Sequence, residues 1–385
     1  MGDRLVAIER AIALLKGTFL PGIYQKRFHK QNDRGMGMTE MFDVTIIGGG
    51  PAGLYSAFYS GLRGMKTKLI ESQPKLGGKV LLYPEKMIWD VGGQPPVPGH
   101  TFVKQLVDKA LTFEPTVCLD TKVEYVEKTA DKHFLITTNH GEIHETKSII
   151  LAVGGGIIHP KRLDCPGAEK FEGETLHYTV PSLKLFYQKT VVVSGGGNGA
   201  IDWAVELLDI AKHVIVVYRQ EDFPAHEAQV ELLRKRNATI LLNSTIETLI
   251  PHDHRNKIKQ VVVKNVVTEE TNAIDTDHLI VSHGFDREDS LQFASSIQLR
   301  KKDEYFYEAS PTCSTSEPGI FAAGDIINYD GKVYLLVGAF QDAVNAVNSA
   351  KQYIDPLAEK IAMVSSHNEK FREKNKQLLE IELKL

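Results

Sequence analysis

The sequence predicts an α/β protein of two Rossmann-like dinucleotide-binding domains, the second inserted into the first. Three observations predict it. A glycine fingerprint, Gly48, Gly50 and Gly53 in FDVTIIGGGPAGLYSA, follows a β-branched run and opens a stretch of small residues. A second, Gly195, Gly197 and Ala200 in TVVVSGGGNGAIDWA, repeats the plan downstream. A further strand–turn–helix text, GIFAAGDIIN…LVGAFQDAVNAVNSAKQYI, returns after the strands of the second unit. In such fingerprints the first two glycines permit a tight turn and close approach of backbone to a pyrophosphate. The third position must be small so that helix and strand can pack.

The elements follow in order. Residues 1–40 read as an N-terminal extension. Leu5, Ile8, Ile12 and Leu15 recur at helical spacing, and a basic, glycine- and methionine-rich segment follows. The extension lacks the plan of a secretory signal and is expected to be a mobile tail. Residues 41–160 hold the first part of the first domain. A strand starts at Phe42, the helix of GGGPAG comes next, and TKLIE ends at Glu71, 21 positions after Gly50. KLGGKVLLYPEK, a helix in TFVKQLVDKALTF, and strands in KVEYVEK, KHFLITTN and SIILAVGGG complete this part. Residues 161–284 form the inserted domain. Its fingerprint strand starts near Thr190, and HVIVVY ends at Tyr218, 21 positions after Gly197. Strands in TIETLI, IKQVVVKNVV and HLIVSHG follow. Residues 285–355 return to the first domain, and residues 356–385 form a tail that ends in a charged helix. Two crossings of the chain are hard to explain for independent tandem modules. They suit a split domain whose late segment returns to the first ligand.

Composition narrows the function. The 385 residues are 42% apolar and 24% charged, and a net charge of −4 gives no case for nucleic acid. No apolar run reaches the ~18 residues of a transmembrane helix. Cys118, Cys165 and Cys313 make neither a CxxC nor a zinc spacing, which fits buried thiols in a reducing, cytoplasmic setting.

GGGPAG with Glu71, then GGGNGAIDWA, then GIFAAGDI, in that order, resemble the two-dinucleotide-binding flavoprotein reductases. Within them the chain is similar to the thioredoxin-reductase-like ferredoxin–NADP reductases of bacteria. LGGKVLLYPEK, AVGGGIIHPKRLDCPGAE, LHYTV, DWAVEL, AHE and AAGDIINYDGKVYLLVGAF carry the likeness from about Phe42 to Asp355. The resemblance implies FAD in the first site, NADP(H) in the second, ferredoxin or a flavodoxin-like carrier as electron acceptor, and a homodimer. Disulfide reductases of this plan keep a cysteine pair beside the flavin. Here Lys79, Val80, Leu81 and Leu82 stand at one of the two places for it and LHYTVPSLKLF at the other, with no thiol in either. Without a thiolate relay, electrons leave directly from the flavin.

The site residues follow. Gly48, Gly50, Pro51, Ala52 and Gly53 set backbone amides and a helix N-terminus against the FAD pyrophosphate. Glu71 accepts from the ribose hydroxyls. By resemblance, Asp325 holds the ribityl or phosphate end, Tyr83 stacks on the isoalloxazine, and Lys79 lies near its N1–C2=O edge. Val123 and Ile158 pack on it. Ser366, or His367 with a shift of register, covers the second flavin face from the other subunit. For NADP(H), Gly195, Gly197, Asn198 and Ala200 form the dinucleotide turn. Arg219 follows Tyr218, which stands in place of an acid, and pairs with the 2′-phosphate. His226 touches the adenosine phosphate. The family pattern is close to HRRDxFRAHE. Here it is YRQEDFPAHE, so Gln220 and Pro224 replace two arginines and thin the phosphate clamp. Lys79, Lys86, Lys161 and Arg162 are the candidates for a basic rim facing an acidic carrier. Two other readings stay open: an NAD(P)H-dependent diaphorase, quinone or flavin reductase, and a non-catalytic flavin redox sensor.

Overall fold

The computed structural model describes residues 40–236, 238–252, 256–288 and 290–382. The expected N-terminal helix between Leu5 and Leu15 lies outside the described residues. The chain opens with β1 (Val44–Ile47), α1 (Pro51–Leu62), β2 (Thr67–Ile70), α2 (Gly99–Ala110) and β3 (Thr116–Cys118). All four residues of β1 and of β2 are buried. Strands packed on both faces need such continuous burial, which is why VTII reads as one unbroken apolar run save for Thr45. Next come β4 (Val123–Lys128), β5 (Phe134–Thr138), β6 (Ile143–Thr146) and β7 (Ile149–Leu151). In β4, β5 and β6 buried and exposed positions alternate or nearly so, and the three strands pair antiparallel.

The chain then leaves through β8 (Ile157–Pro160). The inserted unit runs β9 (Leu176–His177), β10 (Thr190–Ser194), α3 (Asn198–Leu207), β11 (His213–Val217), α4 (Glu227–Lys235) and β12 (Thr239–Leu241). It continues with β13 (Ser244–Pro251), β14 (Ile258–Asn265), β15 (Thr271–Asp275) and β16 (His278–Val281). Its parallel sheet has the order β9-β16-β10-β11-β12. Alternate residues of β10 and β11 serve two cores. Val191, Val193, Val214 and Val216 pack with Ile201, Ala204 and Leu207 of α3. Val192, Ile215 and Val217 pack with Ile246, Leu249 and Val261 of the antiparallel layer β13-β14-β15. Each such side chain contributes about 1.5–3 kcal/mol by leaving water.

The return is β17 (Phe285–Glu288), antiparallel to β8 with Ile157 opposite Glu288 and Pro160 opposite Phe285. β18 (Gln292–Phe293) joins the edge of β4, and β19 (Ile320–Ala322) pairs with β7. The first parallel sheet therefore has the order β19-β7-β1-β2-β3 and is completed only after the insertion. α5 (Leu336–Ile354) packs on α1, where Ser56, Ser60, Ala343, Ala346 and Ala350 are buried and small enough for close approach. The tail carries α6 (Arg372–Glu382) and folds back on the first domain. Lys370 Nζ donates to Gly61 O at 2.7 Å, and the Phe371 ring lies 5.4 Å from that of Phe113. Among the described residues no helix is long and apolar enough to cross a membrane.

Candidate functional site

The turn from β1 into α1 is built around absent side chains. Gly48 has φ +109°, and a Cβ there would stand 2.4 Å from Ala152 O. At Gly53 it would stand 1.8 Å from Gly48 O. At Gly78 it would stand 2.7 Å from the Cα of Gly50, so the second glycine of LGG presses on the fingerprint turn. Gly50 caps α1 without a side-chain hydrogen bond, and Pro51 fills the first helical position. The amides of the first helical turn are thereby left for a ligand, where helix dipole and N–H groups favour an anion.

A cavity of about 790 Å³ opens at this turn. Gly48, Gly50, Pro51, Ala52, Glu71, Lys79, Tyr83, Val123, Ile158 and Asp325 all line it. Gly53 stands behind the turn, and Ser366 lies on the exposed tail with its Oγ 3.1 Å from His367 Nδ1, away from the cavity of its own chain. Glu71, 7% exposed, is held by three donors: Gly49 N at 2.6 Å on Oε2, and Gln73 N at 2.7 Å and Ser72 Oγ at 3.1 Å on Oε1. Burial first, then the charge of Asp325, raises the Tyr83 phenol above its ordinary range, so the ring meets the cavity neutral. The turn Gly154–Gly156 and the segment Tyr334–Leu336 also line the cavity; both lie in stretches that carry the family likeness but were given no site role in the sequence. An uncapped helix N-terminus, a glycine cradle and a buried acid at the end of β2 fit an elongated dinucleotide.

Among the described residues, those that line the cavity lie between Ile47 and Ile158 or between Glu288 and Ala339. The inserted unit touches the cavity wall from outside. Lys86 Nζ pairs with Glu206 Oε1 at 2.5 Å and stands 4.3 Å over the ring of Trp203, both on α3. Tyr83 packs against the cores of both units. Of the four basic-rim candidates, Lys86 is spent on Glu206, Lys161 pairs with Asp286 at 3.4 Å, and Arg162 pairs with Glu172 and lies over Tyr178. Lys79 remains in the cavity wall.

The second turn repeats the geometry. Gly195 has φ +145°, and a Cβ there would meet Ser282 O at 2.3 Å and the Ala200 Cβ at 3.0 Å. Gly197 caps α3 without a side-chain bond. The Tyr218 ring lies against Gly196, where a Cβ would meet it at 2.5 Å, and stacks on Phe223 at 5.5 Å. Asn198 Oδ1 accepts from His226 N at 2.9 Å, which ties the turn to the start of α4. Arg219 is exposed beside this turn. Asp222, one of the nearby acids, is engaged by Arg234 at 3.2 Å. Ser194 Oγ lies 2.8 Å from His283 Nε2 under the turn, a pair that the sequence did not flag.

Residues 42–350 match the family model of the pyridine nucleotide-disulphide oxidoreductases. The chain is 54% identical over 346 residues to ferredoxin–NADP reductase 3 of Lysinibacillus sphaericus (strain C3-41), covering 90% of this chain and 99% of that protein. It is 53% identical over 340 residues to ferredoxin–NADP reductase 1 of Oceanobacillus iheyensis, covering 88% and 97%. Thioredoxin reductase of Lactococcus lactis in its FR conformation superposes with a TM-score of 0.62 at 25% identity, over 82% of this chain and 100% of that one. Thioredoxin reductase of T. acidophilum shares the fold, with a TM-score of 0.63 at 24% identity over 83% and 99%.

Proposed function

Since this chain belongs to the pyridine nucleotide-disulphide oxidoreductase family, we propose that it works as a ferredoxin–NADP reductase, taking electrons from NADPH through FAD to ferredoxin. One observation carries the reading beyond family membership. Two glycine-turn sites share one chain, and among the described residues no cysteine lines the cavity of the first. Cys165 and Cys313 are buried, and burial pushes the thiols of Cys118, Cys165 and Cys313 above their ordinary range. These are inert thiols, unlike the thiolate a disulfide relay needs.

Bound FAD supplies a ring that takes up two electrons from the nicotinamide and gives them out one at a time, as an iron–sulfur partner requires. The chain supplies binding and orientation. The first turn of α1 holds the pyrophosphate, and Glu71 holds the adenosine ribose. Tyr83 and Lys79 border the ring, and Asp325 takes the ribityl end. At the second turn Gly195, Gly197, Asn198 and Ala200 receive NADP(H), Arg219 takes the 2′-phosphate, and His226 flanks it. The inserted unit stands outside the first cavity, so a turn of the two units relative to one another, with the Lys86–Glu206 contact opening, would bring the second dinucleotide turn toward the flavin site.

The working form is a homodimer in which Ser366 of one subunit approaches the flavin of the other. The exposed Trp89, Tyr334 and Leu335 near the cavity, and Leu357 and Met363 on the tail, suit such an interface. A reducing, cytoplasmic setting suits the free thiols. NADPH-driven reduction of cytochrome c tests the reading. Reduction that depends on added ferredoxin is expected. Equal rates without ferredoxin, or comparable reduction of thioredoxin disulfide, would contradict it.

A further inference from the structure

The carboxylate of Asp342 belongs to neither glycine fingerprint. It stands on the second turn of α5 and is 0% exposed. Its Oδ2 accepts from Gly324 N at 3.0 Å and from Lys332 Nζ at 2.7 Å, and its Oδ1 accepts from the Tyr329 hydroxyl at 2.7 Å. The Lys332 side chain is 2% exposed and also donates to Val333 O at 3.1 Å. These partners are all donors, and the Cys313 thiol bonds to the same carboxylate. A carboxylate accepts on both oxygens and satisfies them; an amide would bring two more N–H donors into the same cage.

A buried ion pair is a weak source of stability, because desolvation offsets most of its attraction. Its surroundings point to another role. Gly324 and Asp325 line the first cavity, as do Tyr334, Leu335 and Leu336 just after Lys332, and Ala339 of α5 itself. Gly324 has φ +84°, and a Cβ there would come within 2.9 Å of the Ala52 Cβ, so this turn leans on the first turn of α1. Asp342 thus ties three pieces of the cavity wall to one point. The other titratable neighbours stay neutral. Burial, together with the charge of Asp342, pushes both the Cys313 thiol and the Tyr329 phenol well above their ordinary ranges.

We propose that the Asp342–Lys332 pair is a positioning device for the flavin. It holds the Gly324–Asp325 turn and the segment that leads into α5 against the bound flavin, and it keeps the net charge there near zero. Loss of Lys332 leaves a negative charge in a poorly solvated wall and makes the flavin harder to reduce. Loss of Asp342 leaves a positive charge and makes it easier to reduce.

The test uses the full chain loaded with FAD at pH 8, in Lys332→Met, Asp342→Asn and the double variant. Two quantities are read: the flavin midpoint potential and the FAD dissociation constant of the apoprotein. A more negative potential in Lys332→Met and a more positive one in Asp342→Asn are expected, with the double variant returning toward the parent. FAD binding at least tenfold weaker is expected in Asp342→Asn, where the amide faces donors. Shifts of the same sign, or potentials unchanged with affinities within twofold, overturn the proposal. If Asp342→Asn does not fold, Lys332→Met decides alone: a more negative potential supports the proposal and an unchanged one overturns it. The inference rests on reading the first cavity as the flavin site. A parent protein that takes up no FAD would fail that reading, whereas a yellow parent with indistinguishable variants would overturn this inference only.

Discussion

Replacing Glu71 with Gln removes one charge and little volume at the end of β2. In the parent the carboxylate serves Gly49 N at 2.6 Å, Gln73 N at 2.7 Å and Ser72 Oγ at 3.1 Å. The amide has a single acceptor oxygen. Whichever way it turns, its NH2 faces the amide of Gly49 or of Gln73, and the hydroxyls of a bound ribose lose their ionised acceptor. A hydrogen bond to a charged group contributes about 1.5–3 kcal/mol, so FAD affinity falls by about ten- to a hundredfold. The assay is a fluorescence titration of apoprotein with FAD, run beside FMN. FMN has no adenosine ribose to lose, so its weaker binding stays within about twofold. The reasoning is refuted by FAD affinity within twofold of the parent, or by equal losses for FAD and FMN, which would place Glu71 away from the adenosine half.

Three further predictions follow from the same geometry. Arg219→Ala raises the KM for NADPH by about ten- to a hundredfold, from a lost charge-assisted bond of about 1.5–3 kcal/mol, and leaves the KM for NADH within twofold. Unchanged coenzyme preference removes Arg219 from the phosphate clamp. Gly53→Ala places a methyl 1.8 Å from Gly48 O and lowers stability by about 1–3 kcal/mol or more, read as a lower melting temperature of the FAD-loaded protein; an unchanged value contradicts the close approach of α1 to the end of β1. His177, 4% exposed and 3.1 Å from His278, is held down to about 4 by burial and then by the charge of His278. The unfolded chain takes up its proton near 6.5 and the folded chain only near 4. Stability is therefore full above pH 6.5 and is lost as pH falls toward 4, by about 2 kcal/mol from this group at pH 5. In urea unfolding, the stability gap between the parent and His177→Leu should narrow from pH 7 to pH 5. An equal gap at both would show that the imidazole does not titrate as described.

Much of the fold was legible because its signals are local. A turn that allows no Cβ leaves a glycine in the text, and strands buried on both faces leave runs such as VTII and TVVV. The order of these signals also revealed the insertion, since the text GIFAAGDI that completes the first sheet comes after the second fingerprint. What stayed hidden depends on residues far apart in sequence. Asp342 reads as one acid on the polar side of a helix; its meaning comes from Gly324, Tyr329 and Lys332, which arrive by folding. Lys86 looked like part of an open basic rim, yet α3 of the inserted unit brings Glu206 and Trp203 to it. β15 was not foreseen, because TNAID is polar and exposed and its pairing with β14 is decided by the neighbouring strand. The residues between the GD turn and α5 were assigned no element in the sequence; they carry a two-residue strand, Ile327–Asn328, and the Lys332 anchor.

The most direct test of the account is an anaerobic absorbance titration of the purified protein with NADPH. A yellow protein whose visible bands bleach on addition of NADPH, and recover when oxidised ferredoxin is added, is the predicted result. A protein that stays colourless after incubation with FAD, or one whose bound flavin neither NADPH nor NADH reduces, would contradict it.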